Sequence, residues 1–73
     1  MVRLVVRLVD CRGMRCPLPA LVLARHVRTH GAGRYQLQAD DPAAQTDIPQ
    51  LCVEQGWQLE SASQGEFVIL VWP

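Results

Sequence analysis

Three cysteines, at positions 11, 16 and 52, are the most intrinsically reactive groups in this chain. Cys16 is set apart by its neighbours in DCRGMRCPLPA, the stretch from Asp10 to Ala20. It directly precedes Pro17, and proline suits the first position of a helix, where its missing N–H is not needed. That reading makes Cys16 the helix N-cap. A helix start carries partial positive charge and unpaired N–H groups, both of which stabilise an anion. Free thiols titrate near ~8.5, whereas those at helix starts or beside cations fall to roughly 3.5–7.5. Arg12 and Arg15 would strengthen the effect. These residues therefore predict a nucleophilic thiolate at Cys16. The competing reading is a small apolar residue plugging a turn, because free cysteine is among the most buried residue types.

The remaining candidates point elsewhere. Cys52 shares an apolar stripe with Ile48 and Leu51, which assigns it to packing. Cys11 is read first as packing, with a resolving thiol for Cys16 as the alternative. Spacings of five and thirty-six residues between the cysteines supply neither a disulfide framework nor a C-x-x-C pair. His26 and His30 are spaced as paired zinc ligands can be, but no acidic residue lies between them. No metal or other cofactor is expected. Asp40, Asp41 and Asp47 are first of all turn and cap residues.

Small elements must position these groups. A chain of 73 residues buries only about 60% of the surface its unfolded form exposes, so residues 1–73 read as one domain. Its 49% hydrophobic content supports a packed core and excludes disorder. Arginines at 3, 7 and 12 break up the apolar N-terminus, which excludes a signal-peptide pattern. No apolar run reaches the ~18 residues of a membrane span, and the expected location is the cytoplasm. Seven arginines balance seven acidic residues and lysine is absent, so no long-range field gathers nucleic acid.

VRLVVRLV, from Val2 to Val9, predicts a strand with Val2, Leu4, Val6 and Leu8 inward and Arg3 and Arg7 outward. A helix follows from Pro17 to about His30, ended by Gly31. Its Ala20, Leu23, Ala24 and Val27 should face the sheet, leaving Leu18 and Val22 exposed beside Cys16. Tyr35, Leu37 and Ala39 point inward from a second strand, and Asp40-Asp41-Pro42 turns the chain. Asp47 caps a second helix with Pro49 in its first turn, ended by Gly56. Trp57-Gln58-Leu59 opens a third strand, Ser61–Glu66 turns, and Phe67–Trp72 forms an apolar fourth. The order β-α-β-α-β-β predicts a two-layer α/β sandwich: a mixed four-stranded sheet with both helices on one face. Cys16 and the Asp40-Asp41 turn then emerge at the same edge of the sheet.

The stretch D-x-R-G-M-R-C-P-x-P, with A-D-D-P-A and D-I-P-x-x-C after it, resembles the TusA (SirA-like) family of sulfur carriers. The resemblance spans nearly the whole chain, and C-P-x-P is the family's hallmark. It implies a persulfide relay in which Cys16 accepts sulfane sulfur from a donor such as a cysteine desulfurase. Cys16 then hands that sulfur to the thiol of an acceptor protein, for tRNA thiolation, molybdenum-cofactor assembly or sulfur oxidation. It also implies that Arg12, Gly13, Pro17, Pro19, Asp40 and Asp41 shape the site, and the aliphatic Leu18 and Val22, left exposed beside Cys16 by the helix phase, suit partner docking. Many members carry a polar residue, often Glu, where this chain has Leu18. The alternative is a non-catalytic interaction module whose exposed aliphatic residues bind a partner. RNA binding, suggested only by the likeness of this fold to the C-terminal domain of translation initiation factor 3, is disfavoured by the missing lysines.

Overall fold

The computed structural model describes residues 5–72. Its elements run β1 (Val6–Asp10), α1 (Leu18–His30), β2 (Gly33–Gln38), α2 (Ala44–Gln55), β3 (Gln58–Ser63) and β4 (Glu66–Val71). The sheet order is β1-β2-β4-β3, with β1 parallel to β2 and both other pairings antiparallel. Val9, Tyr35, Leu37, Phe67 and Ile69 from the sheet share one core with Leu23 of α1 and Ile48 and Cys52 of α2. This is the mixed four-stranded, two-layer arrangement that the element order predicts.

Several local readings need correction. On β1, Val6 and Leu8 are 51% and 75% exposed, and Val9 is the inward residue. The parallel register sets Val9 beside Leu37 and Leu8 beside Gln36, so the odd-numbered residues of β1 share the core side. Arg7 is therefore on the helix side as well, where its positive charge acts on His30 at the C-terminal end of α1. A cation suits that negative end of the helix. Val2, Leu4 and Arg3 lie outside the described residues.

The first helix begins one residue later than expected, with Pro17 rather than Cys16 as its N-cap. Its buried stripe is centred on Pro19 and Leu23. That phase turns Val22 toward the core and leaves Leu21, at 56%, exposed beside Leu18 at 49%. The second helix starts at Ala44, so Asp47 lies inside its first turn and does not cap it. Pro49 then falls within the helix, where its absent N–H removes one i→i−4 bond. Gly31 and Gly56 end the helices at positive φ, as their positions predict.

The third strand runs on to Ser63, and the hairpin turn shrinks to Gln64-Gly65, both at positive φ. In β4, Phe67, Ile69 and Val71 face the helices while Val68, Leu70 and Trp72 face the open side. Leu70 is nevertheless only 5% exposed. Its cross-strand neighbours are Arg34 and Gln58, and the Arg34–Glu60 ion pair (Nε to Oε1, 2.7 Å) joins the two flanking strands. The long side chains of that pair cover the aliphatic residue between them.

One buried polar group is tied into the core: Tyr35 is fully buried and its hydroxyl donates to the Gly31 carbonyl at 2.6 Å. Tyr35→Phe deletes this tether without leaving a hole. It is expected to cost about 1 kcal/mol, read as a lower midpoint of thermal unfolding.

Candidate functional site

Cys16 sits at the tip of the β1–α1 loop, exposed, in an open cleft with Gly13, Met14, Arg15, Asp40, Asp41 and Pro42. Carboxylates from the β2–α2 segment build this cleft. Asp40 Oδ1 accepts from the Gly13 N–H at 2.9 Å, and Gly13 adopts φ +83°, where a side chain would be strained. Asp41 Oδ2 accepts from the Cys16 N–H at 2.6 Å, while its Oδ1 accepts from the Ala43 N–H at 3.1 Å. Asp41 therefore closes the turn before α2 and also pins the backbone of the cysteine. These two N–H bonds, that of Cys16 first, hold its carboxyl below the usual range, with a smaller contribution from Arg15. The clamp is complete at neutral pH and fails only in acid, as the carboxylate protonates.

The thiol itself faces Asp47. Cys16 Sγ donates to Asp47 Oδ2 at 2.6 Å. That hydrogen bond, then some lost hydration, then the negative charges of Asp47 and Asp41 push the thiol above its ordinary value. The sequence reading expected the opposite, and the reasons are local. Pro17 and Pro19 remove two N–H groups from the start of α1, and the Leu18 N–H is taken by the Arg15 carbonyl at 2.8 Å. Little of the positive helix end remains for the sulfur. Arg12 is also spent: it forks onto Asp10, with Nε and Nη2 each 3.0 Å from a carboxylate oxygen. That pairing draws Asp10 down to about 2.

The loop thus brings together Cys16, Gly13, Asp40 and Asp41 as expected, and turns Arg12 away to stiffen the end of β1. Pro17 and Pro19 act by fixing the helix start, and Pro19 is buried. Leu18 is exposed beside the thiol, whereas Val22, also expected to be exposed there, packs on the core, and Leu21 is exposed instead. Asp47, read from the sequence first as a cap and only secondarily as a residue shaping the Cys16 site, is the one that meets the thiol. The available signal was three aspartates within eight residues, more than one turn and one cap require.

Cys11 is 0% exposed and Cys52 2%, so neither thiol reaches the cleft, and a resolving role for Cys11 finds no support. His26 and His30 lie near each other with their rings tilted, at a 5.8 Å centroid distance. Among the described residues, no three His, Cys, Asp or Glu side chains converge as metal ligands would. No helix among them is long and apolar enough to cross a membrane.

The chain is similar to known proteins. The chain aligns at 36% identity over 64 residues with the sulfur carrier protein TusA of Pseudomonas entomophila, covering 86% of this chain and 80% of that one. It aligns at 33% over 66 residues with TusA of Pseudomonas putida strain F1, covering 89% and 82%. The crystal structure of a SirA-like protein from Desulfitobacterium hafniense superposes with a TM-score of 0.70 over 92% of this chain and 95% of that one. At 17% identity, that last likeness speaks for the fold. The family model described as sulfurtransferase TusA matches residues 7–72, from β1 to the end of β4. With the cysteine loop, both helices and every strand but the first residue of β1 inside that match, the chain belongs to the TusA family.

Proposed function

We propose that this protein is a sulfur carrier that holds sulfane sulfur as a persulfide on Cys16. One observation carries the reading: Cys16 is the exposed thiol of the three, at the tip of a loop clamped by Asp40 and Asp41. Loading is thiol–persulfide exchange. Cys16–SH and a donor R–S–SH give Cys16–S–SH and R–SH, one S–S bond forming as another breaks, with no net oxidation. Unloading runs the same exchange toward an acceptor protein's thiol. An open cleft suits this work, because the cargo must be reachable by two partners in turn.

A cysteine desulfurase or a similar persulfide-forming protein fits as donor, and a thiol-bearing sulfur-transfer protein as acceptor. Leu18 and Leu21 form an exposed apolar strip beside the thiol that a partner can cover. Cytoplasmic action is consistent with three cysteines that are all free. The chain recovers its own thiol each cycle, so it works as a sulfurtransferase-type carrier. The test is to incubate the protein with a cysteine desulfurase and cysteine, then map peptides by mass spectrometry under non-reducing conditions. One added sulfur atom on the Cys16 peptide is expected; its absence under donor turnover would refute the reading.

A further inference from the structure

We propose that Asp47 sets the direction of sulfur transfer by favouring the empty form of Cys16 over the loaded one. This rests on the reading of Cys16 as a persulfide carrier and adds what decides how tightly the sulfur is held. In the empty protein the Sγ proton is donated to Asp47 Oδ2. Loading replaces that proton with a sulfur atom, so Sγ has nothing left to donate. An ionised carboxylate is an acceptor only, and it then confronts the lone pairs of a sulfur it formerly bonded. The acidic proton of the persulfide sits on the terminal sulfur. Its loss places a second negative charge close to Asp47, where like charges repel.

The surroundings do not cancel this repulsion. From the β2–α2 segment, Asp41 adds its own negative charge near the thiol, and Asp40 is occupied by Gly13. From the β1–α1 loop, Arg15 acts on Asp41 and Arg12 is forked onto Asp10. The first turn of α1 brings only Leu18, Pro19, Ala20 and Leu21, none of them charged. Loading therefore costs one hydrogen bond and adds one repulsion. When an acceptor thiolate attacks the terminal sulfur, the S–S bond breaks toward Cys16, whose thiolate takes a proton and regains Asp47. The carrier is built to release.

The test is an equilibrium. Full-length wild type, Asp47→Asn, Asp47→Ala and Cys16→Ala are held with fixed mixtures of glutathione persulfide and glutathione, and loading is read by intact mass. Removing the charge is expected to raise the exchange constant about fivefold in Asp47→Ala, given an exposed, charge-assisted contact. The rise is larger in Asp47→Asn, whose amide also donates to the persulfide. A constant unchanged in both variants, with wild type loading normally, overturns the role of Asp47 alone. Wild type that takes up no more sulfur than Cys16→Ala overturns the carrier reading, and this inference with it. Should both Asp47 variants fail to fold by circular dichroism, alkylation of the wild type across pH decides. The inference requires Cys16 to titrate above the glutathione thiol, and titration at or below it is a refutation.

Discussion

Alanine at position 16 is expected to abolish sulfur loading, while Cys11→Ala and Cys52→Ala load as the wild type does. The contrast follows from access. Cys11 and Cys52 are sealed in the core, and burial raises both thiols further, with Asp10 adding to the effect at Cys11. All three thiols are pushed above their ordinary value, so access is what separates them: a sealed thiol cannot meet a donor. Stability should show the reverse order. Cys16 is exposed, so Cys16→Ala is expected to leave the unfolding midpoint within the range of ordinary surface changes, about ±0.5 kcal/mol. The two core variants lose packed sulfur atoms and are expected to melt lower. Desulfurase-driven loading read by intact mass, with thermal melts of the same samples, checks both halves. Sulfur on Cys16→Ala at wild-type level would place the chemistry elsewhere.

Gly65→Val is expected to be the most damaging substitution outside the core. Gly65 takes φ +79°, and a Cβ there would lie 2.7 Å from the Ala39 carbonyl oxygen. The obstacle is backbone, so no side chain can swing aside. A β-branched residue in that conformation costs on the order of 1–3 kcal/mol before the collision is added. The total is about 3 kcal/mol or more, against the ~4–11 kcal/mol that a domain of this size has in reserve. At ~4–8 °C per kcal/mol, the unfolding midpoint should fall by more than ten degrees. The site should suffer as well, because the Ala39 N–H donates to the Gly65 carbonyl at 2.9 Å and the next two residues are Asp40 and Asp41. Gly56→Ala is the control: its φ is +74° but a Cβ there meets nothing within 4 Å. It pays only the conformational cost, about 1 kcal/mol. Equal melting of the two variants would show that the hairpin does not brace the loop.

The element order, the helix ends at Gly31 and Gly56 and the inward set Tyr35, Leu37 and Ala39 were legible because each has a local cause. Alternation and chain-ending glycines act over a few residues, and short connections leave few topologies. The face of β1 was not legible in the same way. Valines stand at positions 2, 5, 6 and 9, so apolar residues occupy both parities and only pairing with β2 decides. Leu23, with Ala20 and Val27 beside it, faces the core as read, but Val22 was misplaced because Pro19, usually a surface residue, is buried and widens the stripe toward it. At the site, the position of Cys16 and its closeness to Asp40 and Asp41 followed from crossover topology. Its acid–base character did not. A helix start stabilises an anion through free N–H groups, and here two prolines and one carbonyl remove most of them. The contact of Asp47 with the thiol was not legible, because a cap and a first-turn residue aimed at another loop look alike in one dimension.

The placement of FVILV as an interior strand has one more consequence. A short, uncharged, β-branched segment with no proline is the kind that pairs with copies of itself when an edge comes free. Here both edges are occupied, by β2 and by the polar strand QLESAS, which takes the outer position. Damage that peels QLESAS away would turn a well-hidden ribbon into a template. Aggregation, more than simple melting, is then the failure that threatens this small carrier.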